Sequence, residues 1–162
     1  MQIQPKRILI VTDSLGAPRF VNDEKITYND TWIYKVITFL KKYDFEFVFL
    51  TINGLDSVQL LQLTRDKLLL YEADIVIFQF GIVDCAPRVL KELEIKLLSI
   101  FKLSWIAKRI ISKYHAFLSS LRSIQQVGLK EFTKNISEIY MLFNDNNIKI
   151  VHVPIAPACK EY

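Results

Sequence analysis

The sequence predicts an α/β fold: a three-layer, flavodoxin-like arrangement of four parallel strands in the order 2-1-3-4, with helices on both faces. Three observations carry this. Four short runs, Lys6–Thr12 (KRILIVT), Phe45–Thr51 (FEFVFLT), 74–80 (DIVIFQF) and 148–153 (IKIVHV), are near-continuously apolar, as strands covered on both faces are. Segments of helical period separate them. Right-handed crossovers between parallel strands then make the first strand central. With 162 residues, 51% apolar and 23% charged, the chain has the size and composition of a single domain over 1–162, and no repeat or linker divides it.

The elements follow in order. The first strand ends at Asp13, and a polar loop rich in turn residues occupies 13–29. Residues 31–43 place Trp32, Val36, Phe39, Leu40 and Tyr43 at helical spacing, with Asn29 or Asp30 as the cap. The turn dipeptide Asn53-Gly54 closes the second strand. A helix over 56–70 turns Leu60, Leu61 and Leu63 inward, and the third strand follows it. From 89 to 122 the pattern is helical with a break near Ser104, and Ile106, Ile110, Tyr114, Phe117 and Leu121 form its apolar stripe. A last helix, 129–144, carries Phe132, Ile136, Ile139 and Phe143 on one face before the fourth strand.

Composition narrows the function classes. Two cysteines, Cys85 and Cys159, and two histidines, His115 and His152, are too few for a disulfide scaffold or a cysteine- or histidine-rich metal site. No Gly-rich loop follows the first strand to cradle a phosphate, so neither metal nor cofactor is expected. The opening MQIQPKRILIVTD lacks the apolar stretch and small-residue site of a secretory signal. No run of about 18 uncharged apolar residues exists, and a cytoplasmic chain with reduced thiols is expected. The net charge of +4 is concentrated in 88–122, which holds eight basic and two acidic residues. Such a face is ordinarily a solvated one, and nucleic acid is not an expected partner.

Ligands of open parallel sheets bind outside the carboxyl ends of the strands. Here those ends run into Asp13-Ser14-Leu15-Gly16, into Asn53-Gly54, into 81–88 (GIVDCAPR) and into 154–159 (PIAPAC). Read from the residues alone, Ser14 is either a loop serine or a nucleophile, and Asp84 either a helix cap or a site residue. Arg88 suits a partner carboxylate, Asp13 or Asp84, as well as a substrate anion. Cys85 and Cys159 read as inert thiols, since a cysteine nucleophile also needs a base.

These segments resemble the SGNH (GDSL-type) ester hydrolases over essentially the whole chain. ILIVTDSLG is similar to the family's first block, which implies Ser14 as nucleophile. Gly54 matches the second-block glycine, whose N–H helps to bind the oxyanion. FGIVDCAPR resembles the third block, Gly-x-Asn-Asp, at Gly81 and Asp84. The segment 28–32 (YNDTW) and GIVDCAPR also resemble a bacterial subgroup associated with surface-polysaccharide synthesis. The resemblance implies a serine ester hydrolase or acyl transferase acting on a small-molecule or carbohydrate ester.

The chain departs from the family pattern twice. Val83 stands where the third block has asparagine, and a valine side chain donates no hydrogen bond. Arg88, Asn53 or Asn29 would have to replace that donor. The family's final Asp-x-x-His block, which supplies the general base, is not found in the sequence. His152 falls inside the expected fourth strand and His115 in mid-helix, so both read as buried, structurally satisfied histidines. An alternative follows: a non-catalytic protein binding a sugar or a partner on the same scaffold.

Overall fold

The computed structural model of the protein describes residues 5–21, 23–90 and 124–154, together with Glu94, Arg109, Ile111, Lys113 and Tyr114. Its sheet contains β1 (Lys6–Thr12), β4 (Phe45–Thr51), β5 (Ile75–Gln79) and β8 (Lys149–His152), all parallel, in the order β4-β1-β5-β8. In terms of these four strands the order is the expected 2-1-3-4. The first two runs form strands at the expected bounds, and the other two are trimmed by a residue at each end.

Two layers of side chains seal the sheet. On one face Leu9, Val11, Val76 and Phe78 pack under α2 (Ser57–Asp66) and α4 (Leu129–Asp145) through Leu60, Leu61, Ile139 and Phe143. Phe78 meets Phe80 and Phe143 edge-on at 5.8 and 5.4 Å, a geometry worth about 0.5–1.5 kcal/mol per pair beyond area burial. On the other face Ile8, Ile10 and Ile77 pack against Ile33, Ile37 and Leu40 of α1 (Trp32–Leu40). The parallel register sets Leu50, Val11, Phe78 and His152 in one row across the sheet.

Three local expectations are corrected. The segment 13–29 is not only loop: it contains a two-stranded hairpin, β2 (Arg19–Val21) with β3 (Glu24–Ile26). Neither Asn29 nor Asp30 caps α1. Both lie in a 3-10 turn, Tyr28–Asp30, and Thr31 is the cap, its hydroxyl accepting the Tyr34 amide at 3.3 Å. The inward face of the helix differs in part from the expected stripe: Trp32 and Leu40 do pack against the core, but with Ile33 and Ile37. Ile33 is fully buried, whereas Phe39 and Tyr43 stand exposed with Lys42 Nζ over both rings.

Of the expected helical stretch 89–122, nearly all lies outside the described residues, as do His115, most of its basic face and Cys159; Tyr114, expected on the apolar stripe, is instead exposed on a helix with Lys113 Nζ over its ring. Among the described residues, no helix is long and apolar enough to cross a membrane.

Candidate active site

β1 delivers Ser14 to the carboxyl edge of the sheet. The Asp13 amide donates to the Gln79 carbonyl at 3.1 Å, extending the β1–β5 ladder by one bond before the chain turns away. A 3-10 turn, Ser14–Gly16, then forms because the Asp13 carboxylate accepts the Leu15 amide through Oδ1 at 2.9 Å, a turn chemistry that aspartate supplies from its own side chain. Gly16 closes the turn against Thr12 and Ile33. Ser14 is half-buried, and its hydroxyl makes no hydrogen bond to any described residue. Asp13 is fully buried, with Oδ2 unpartnered. Burial pushes its carboxyl above the usual aspartate range, opposed by the Leu15 amide and the Arg19 charge.

The flanking strands bring two further turns to the same edge. β4 is held to β1 by the Ile52 amide on the Thr12 carbonyl at 2.9 Å, and two residues later Gly54 sits exposed at φ +74°. β5 is followed by Gly81 at φ +113°, which opens the helical turn α3 (Ile82–Cys85). Both glycines occupy the left-handed region that disfavours a side chain. Neighbouring strands lie about 4.8 Å apart, so the turns holding Ser14, Gly54 and Gly81 leave three adjacent strands on one edge. Asn53 is exposed beside Gly54.

Asp84 does not face open solvent. It is 1% exposed, and its Oδ1 accepts the Ser57 amide at 2.9 Å. Ser57 Oγ in turn accepts from Asn135 Nδ2 at 3.1 Å, and the Asp84 carbonyl accepts the Val127 amide. Asp84 therefore caps a helix, but a distant one: it serves the first turn of α2, alongside Asp56, whose Oδ1 takes the Gln59 amide. Oδ2 of Asp84 is buried without a partner. Burial raises its pKa, hydrogen bonds from Ser57 oppose the shift, and the Asp56 charge adds to it.

The YNDTW segment also resolves into local physical roles. Thr27 and Asp30 form a reciprocal capping box, with the Thr27 amide and hydroxyl on Asp30 Oδ2 at 2.8 and 2.6 Å. These bonds hold the Asp30 carboxyl below its ordinary pKa. Thr31 starts α1, and its hydroxyl also donates to the Tyr28 carbonyl at 2.6 Å. The Trp32 indole donates to Gln79 Oε1 at 2.6 Å, and the Thr12 hydroxyl donates to the same oxygen at 3.0 Å. The segment thus bolts α1 to the end of β5, directly beneath the Ser14 turn. Asn29 is exposed in it.

The remaining candidates are scattered. His152 is not buried within a strand: it ends β8 as an exposed residue. Its ring stacks on Phe80 at 5.2 Å with Nδ1 3.2 Å from the Tyr140 hydroxyl, and desolvation lowers its pKa. β8 is the outermost strand of the described sheet, two strands from β1, which explains both the exposure and a lateral offset from Ser14 of roughly 10 Å. Val83 is half-buried in α3, and Cys85 is an exposed free thiol. Pro87–Arg88 forms β6, paired with β7 (Ile124–Gln125), but the Arg88 side chain lies outside the described part of the structure. Among the described residues, no three His, Cys, Asp or Glu side chains cluster as metal ligands. Sequence reasoning missed Ser57, Asn135, Gln79 and Arg19. The pair Asp56-Ser57, an N-cap pattern at the start of α2, is the one local signal that could have led to Ser57.

No protein-family model matches the chain, and no curated protein matches its sequence. Solved structures do match. TesA aligns over 93% of this chain and 61% of its own, with 15% identity and a TM-score of 0.59. A catalytic mutant of Axe2, an acetylxylan esterase from Geobacillus stearothermophilus, aligns over 94% of this chain and 61% of its own, with 14% identity and a TM-score of 0.56. A GDSL-like lipase from Bacteroides thetaiotaomicron aligns over 93% and 51%, with 15% identity and a TM-score of 0.50. The chain thus spans less than two thirds of these structures. At such identity the likeness is one of fold, and the fold is that of the SGNH (GDSL-type) hydrolases.

Proposed function

We propose that the chain carries the nucleophile of an SGNH-type ester hydrolase or acyl transferase acting on O-acylated carbohydrate. One observation supports this above the others: the Asp13-capped turn offers Ser14 at the carboxyl edge of the sheet, its hydroxyl bonded to none of the described residues, one strand from the Gly54 turn. Ser14 Oγ would attack the acyl carbonyl, and the N–H groups of Ser14 and Gly54 would take the charge that develops on its oxygen. Asp84 acts as a positioning residue in this reading. By holding the Ser57 amide it fixes the start of α2, three residues beyond Gly54.

The serine proton needs a base within about 2.6–3.2 Å, and Ser14 Oγ has no such partner among the described residues. Val83 supplies no oxyanion donor at the third block. Both facts point to slow turnover in the 162-residue chain, and they are what favours the second reading, a sugar- or partner-binding protein on this scaffold. The carbohydrate assignment rests on the YNDTW and GIVDCAPR resemblance and on the acetylxylan esterase among the fold neighbours.

The test is acyl transfer to the enzyme. After incubation with an activated acetyl ester, intact-mass and peptide mapping should find one acetyl group on Ser14. Acetylation confined to surface lysines, or unchanged in Ser14→Ala, overturns the hydrolase reading and leaves the binding one.

A further inference from the structure

β4 is the outermost strand of the described sheet, and its free edge carries none of the devices that ordinarily blunt one. It is seven residues long, without proline or lysine, and its one charge, Glu46, is paired with Arg7 at 2.9 Å. β8, at the opposite edge, is four residues long and begins with Lys149. The Ile52 amide on the Thr12 carbonyl fixes which backbone groups of β4 face outward. In that register the N–H and C=O groups of Val48, Leu50 and Ile52 point to β1, so those of Phe47, Phe49 and Thr51 point away from the sheet. The Phe45 amide is taken by the Tyr43 carbonyl at 3.0 Å.

The side chains beside this edge are aromatic. Phe45, Phe47 and Phe49 share the α1 face of the strand. The first two pack into the layer beneath α1, while Phe49 is 46% exposed. Tyr43 meets Phe45 at 6.0 Å and Tyr28 stacks on Phe49 at 5.9 Å, so rings line the strand from one end to the other. Tyr34 adjoins Tyr28 at 5.3 Å, and Phe39, 68% exposed, shares the Lys42 ammonium with Tyr43. Contiguous exposed apolar surface of this kind marks an interface.

We infer that β4 pairs antiparallel with β4 of a second copy of the chain, about a two-fold axis at Val48 perpendicular to the sheet. Three features select a second copy as the occupant. The strand is self-complementary. Pairing centred on Val48 sets Phe47 opposite Phe49 and Phe45 opposite Thr51, twice each, and the outward groups of Phe47 and Phe49 then exchange both hydrogen bonds. The charges are complementary. Glu46 falls opposite Leu50, and α1, which runs from the Gln79 end of the sheet towards the start of β4, meets its symmetry mate antiparallel. The exposed Lys41 and Lys42 at the end of one helix then approach the exposed Asp30 before the start of the other. The spacing fits as well. The two β1 strands would lie three steps apart, about 14 Å, which is wider than the 8–10 Å of closely packed helices. Phe39, Tyr43, Tyr34 and Tyr28 are the large side chains placed to fill the gap between the two α1 helices. This pairing is independent of the hydrolase reading.

Sedimentation or light scattering of the intact 162-residue chain over a dilution series should show a dimer that dissociates on dilution. Phe49→Lys sets two lysines beside the axis and removes both aromatic pairs, and it should weaken the dimer roughly ten-fold or more. Val151→Lys, an added charge on the exposed β8 edge, should leave the dimer unchanged. Cysteine cross-linking reads the register, with Cys85 and Cys159 replaced by serine. Val48→Cys would face its own copy at about 4.5 Å between Cα atoms, within the range of about 4.4–6.8 Å that a disulfide spans. It should oxidise to a covalent dimer. Glu46→Cys is the more exposed site, yet its two copies would stand about 14 Å apart, and it should stay uncrosslinked unless Leu50→Cys is added to the same chain. Ser14→Ala should dimerise as the parent does. A chain that is monomeric at every concentration, a dimer lost in Val151→Lys, or Glu46→Cys cross-linking as readily as Val48→Cys overturns the pairing. Should Phe49→Lys fail to fold, the comparison of Val48→Cys with Glu46→Cys decides alone.

Discussion

Asp84 Oδ1 accepts the Ser57 amide at 2.9 Å, joining the turn after β5 to the first residue of α2 across 27 positions of sequence. That single bond couples the GIVDCAPR segment to the segment holding Gly54. It also places a carboxylate where a helix N-terminus favours negative charge, although burial works against it.

Asp84→Ala should therefore cost about 1–3 kcal/mol, since the buried Ser57 amide loses its acceptor. Asp84→Asn keeps an acceptor and should cost less. The pH dependence separates the two effects. The folded pKa is raised above the ordinary 3.8, so the native state binds the proton more tightly than the unfolded chain does. Asp84's contribution is thus fullest below pH 3.8 and is lost as pH rises through the folded value. Urea titrations across this window should show a flatter decline in Asp84→Asn than in the parent. Parallel profiles would contradict the account.

Gly16→Ala tests the packing under the Ser14 turn. A Cβ there would fall closer to Thr12 Cγ2 than real contacts allow and 2.9 Å from Ile33 Cδ1, with Thr12 and Ile33 both fully buried. Overpacking of this kind typically costs about 1–3 kcal/mol, or roughly 2–4 °C in Tm for each kcal/mol at this size. A Tm within a degree of the parent would show that the turn has room to shift.

How much of this was legible in the sequence differs by level. KRILIVT announced its strand because a doubly covered strand needs little besides continuous apolar side chains; FEFVFLT read the same way, but β4 lies at the edge of the described sheet with no residue fully buried, and the topology followed from handedness. The turns that hold Ser14 and Gly54 were legible because turn residues after a strand are local; a role for Ser14 came only from the family resemblance. The phase of α1 was not. The segment 31–43 offers two overlapping apolar stripes, and Ile33 and Ile37 join Trp32 and Leu40 against the core in a position that the Trp32–Gln79 bond, with a partner 47 residues away, helps to fix. Asp84 was ambiguous for the same reason. Its partner is Ser57, and no local pattern pairs them. Arg19 carried no motif at all, since its role depends on a hairpin folding back over the Leu15 and Ala17 carbonyls.

His152 offers a titration in the opposite direction. Its packing against Phe80 and near Tyr140 lowers its pKa below 6.5, so the folded state favours the neutral ring. Its contribution is present above pH 6.5 and is lost as pH falls below that value towards the folded pKa. His152→Gln should remove this dependence, and an NMR titration of the parent ring should give a midpoint below 6.5. A midpoint above it would mean that desolvation is not the dominant influence.

Val83→Asn asks whether the missing donor limits catalysis. One oxyanion donor is typically worth about 10²–10³ in kcat. If the Val83 position faces the reacting carbonyl, the substitution should raise turnover of an activated acetyl ester by a measurable part of that factor, with KM little changed. No gain in a folded variant would place the oxyanion donors elsewhere.

The central claim is that Ser14 is the nucleophile, and steady-state hydrolysis of an activated acetyl ester by the purified 162-residue chain and by Ser14→Ala tests it most directly. With no base bonded to Ser14 among the described residues and no side-chain donor at Val83, turnover should be slow; a positioned base alone is worth about 10²–10⁴-fold. The slow rate of the parent should nonetheless exceed that of Ser14→Ala, which should fall to the rate in buffer. Equal rates for the two proteins, at any level, would contradict the claim.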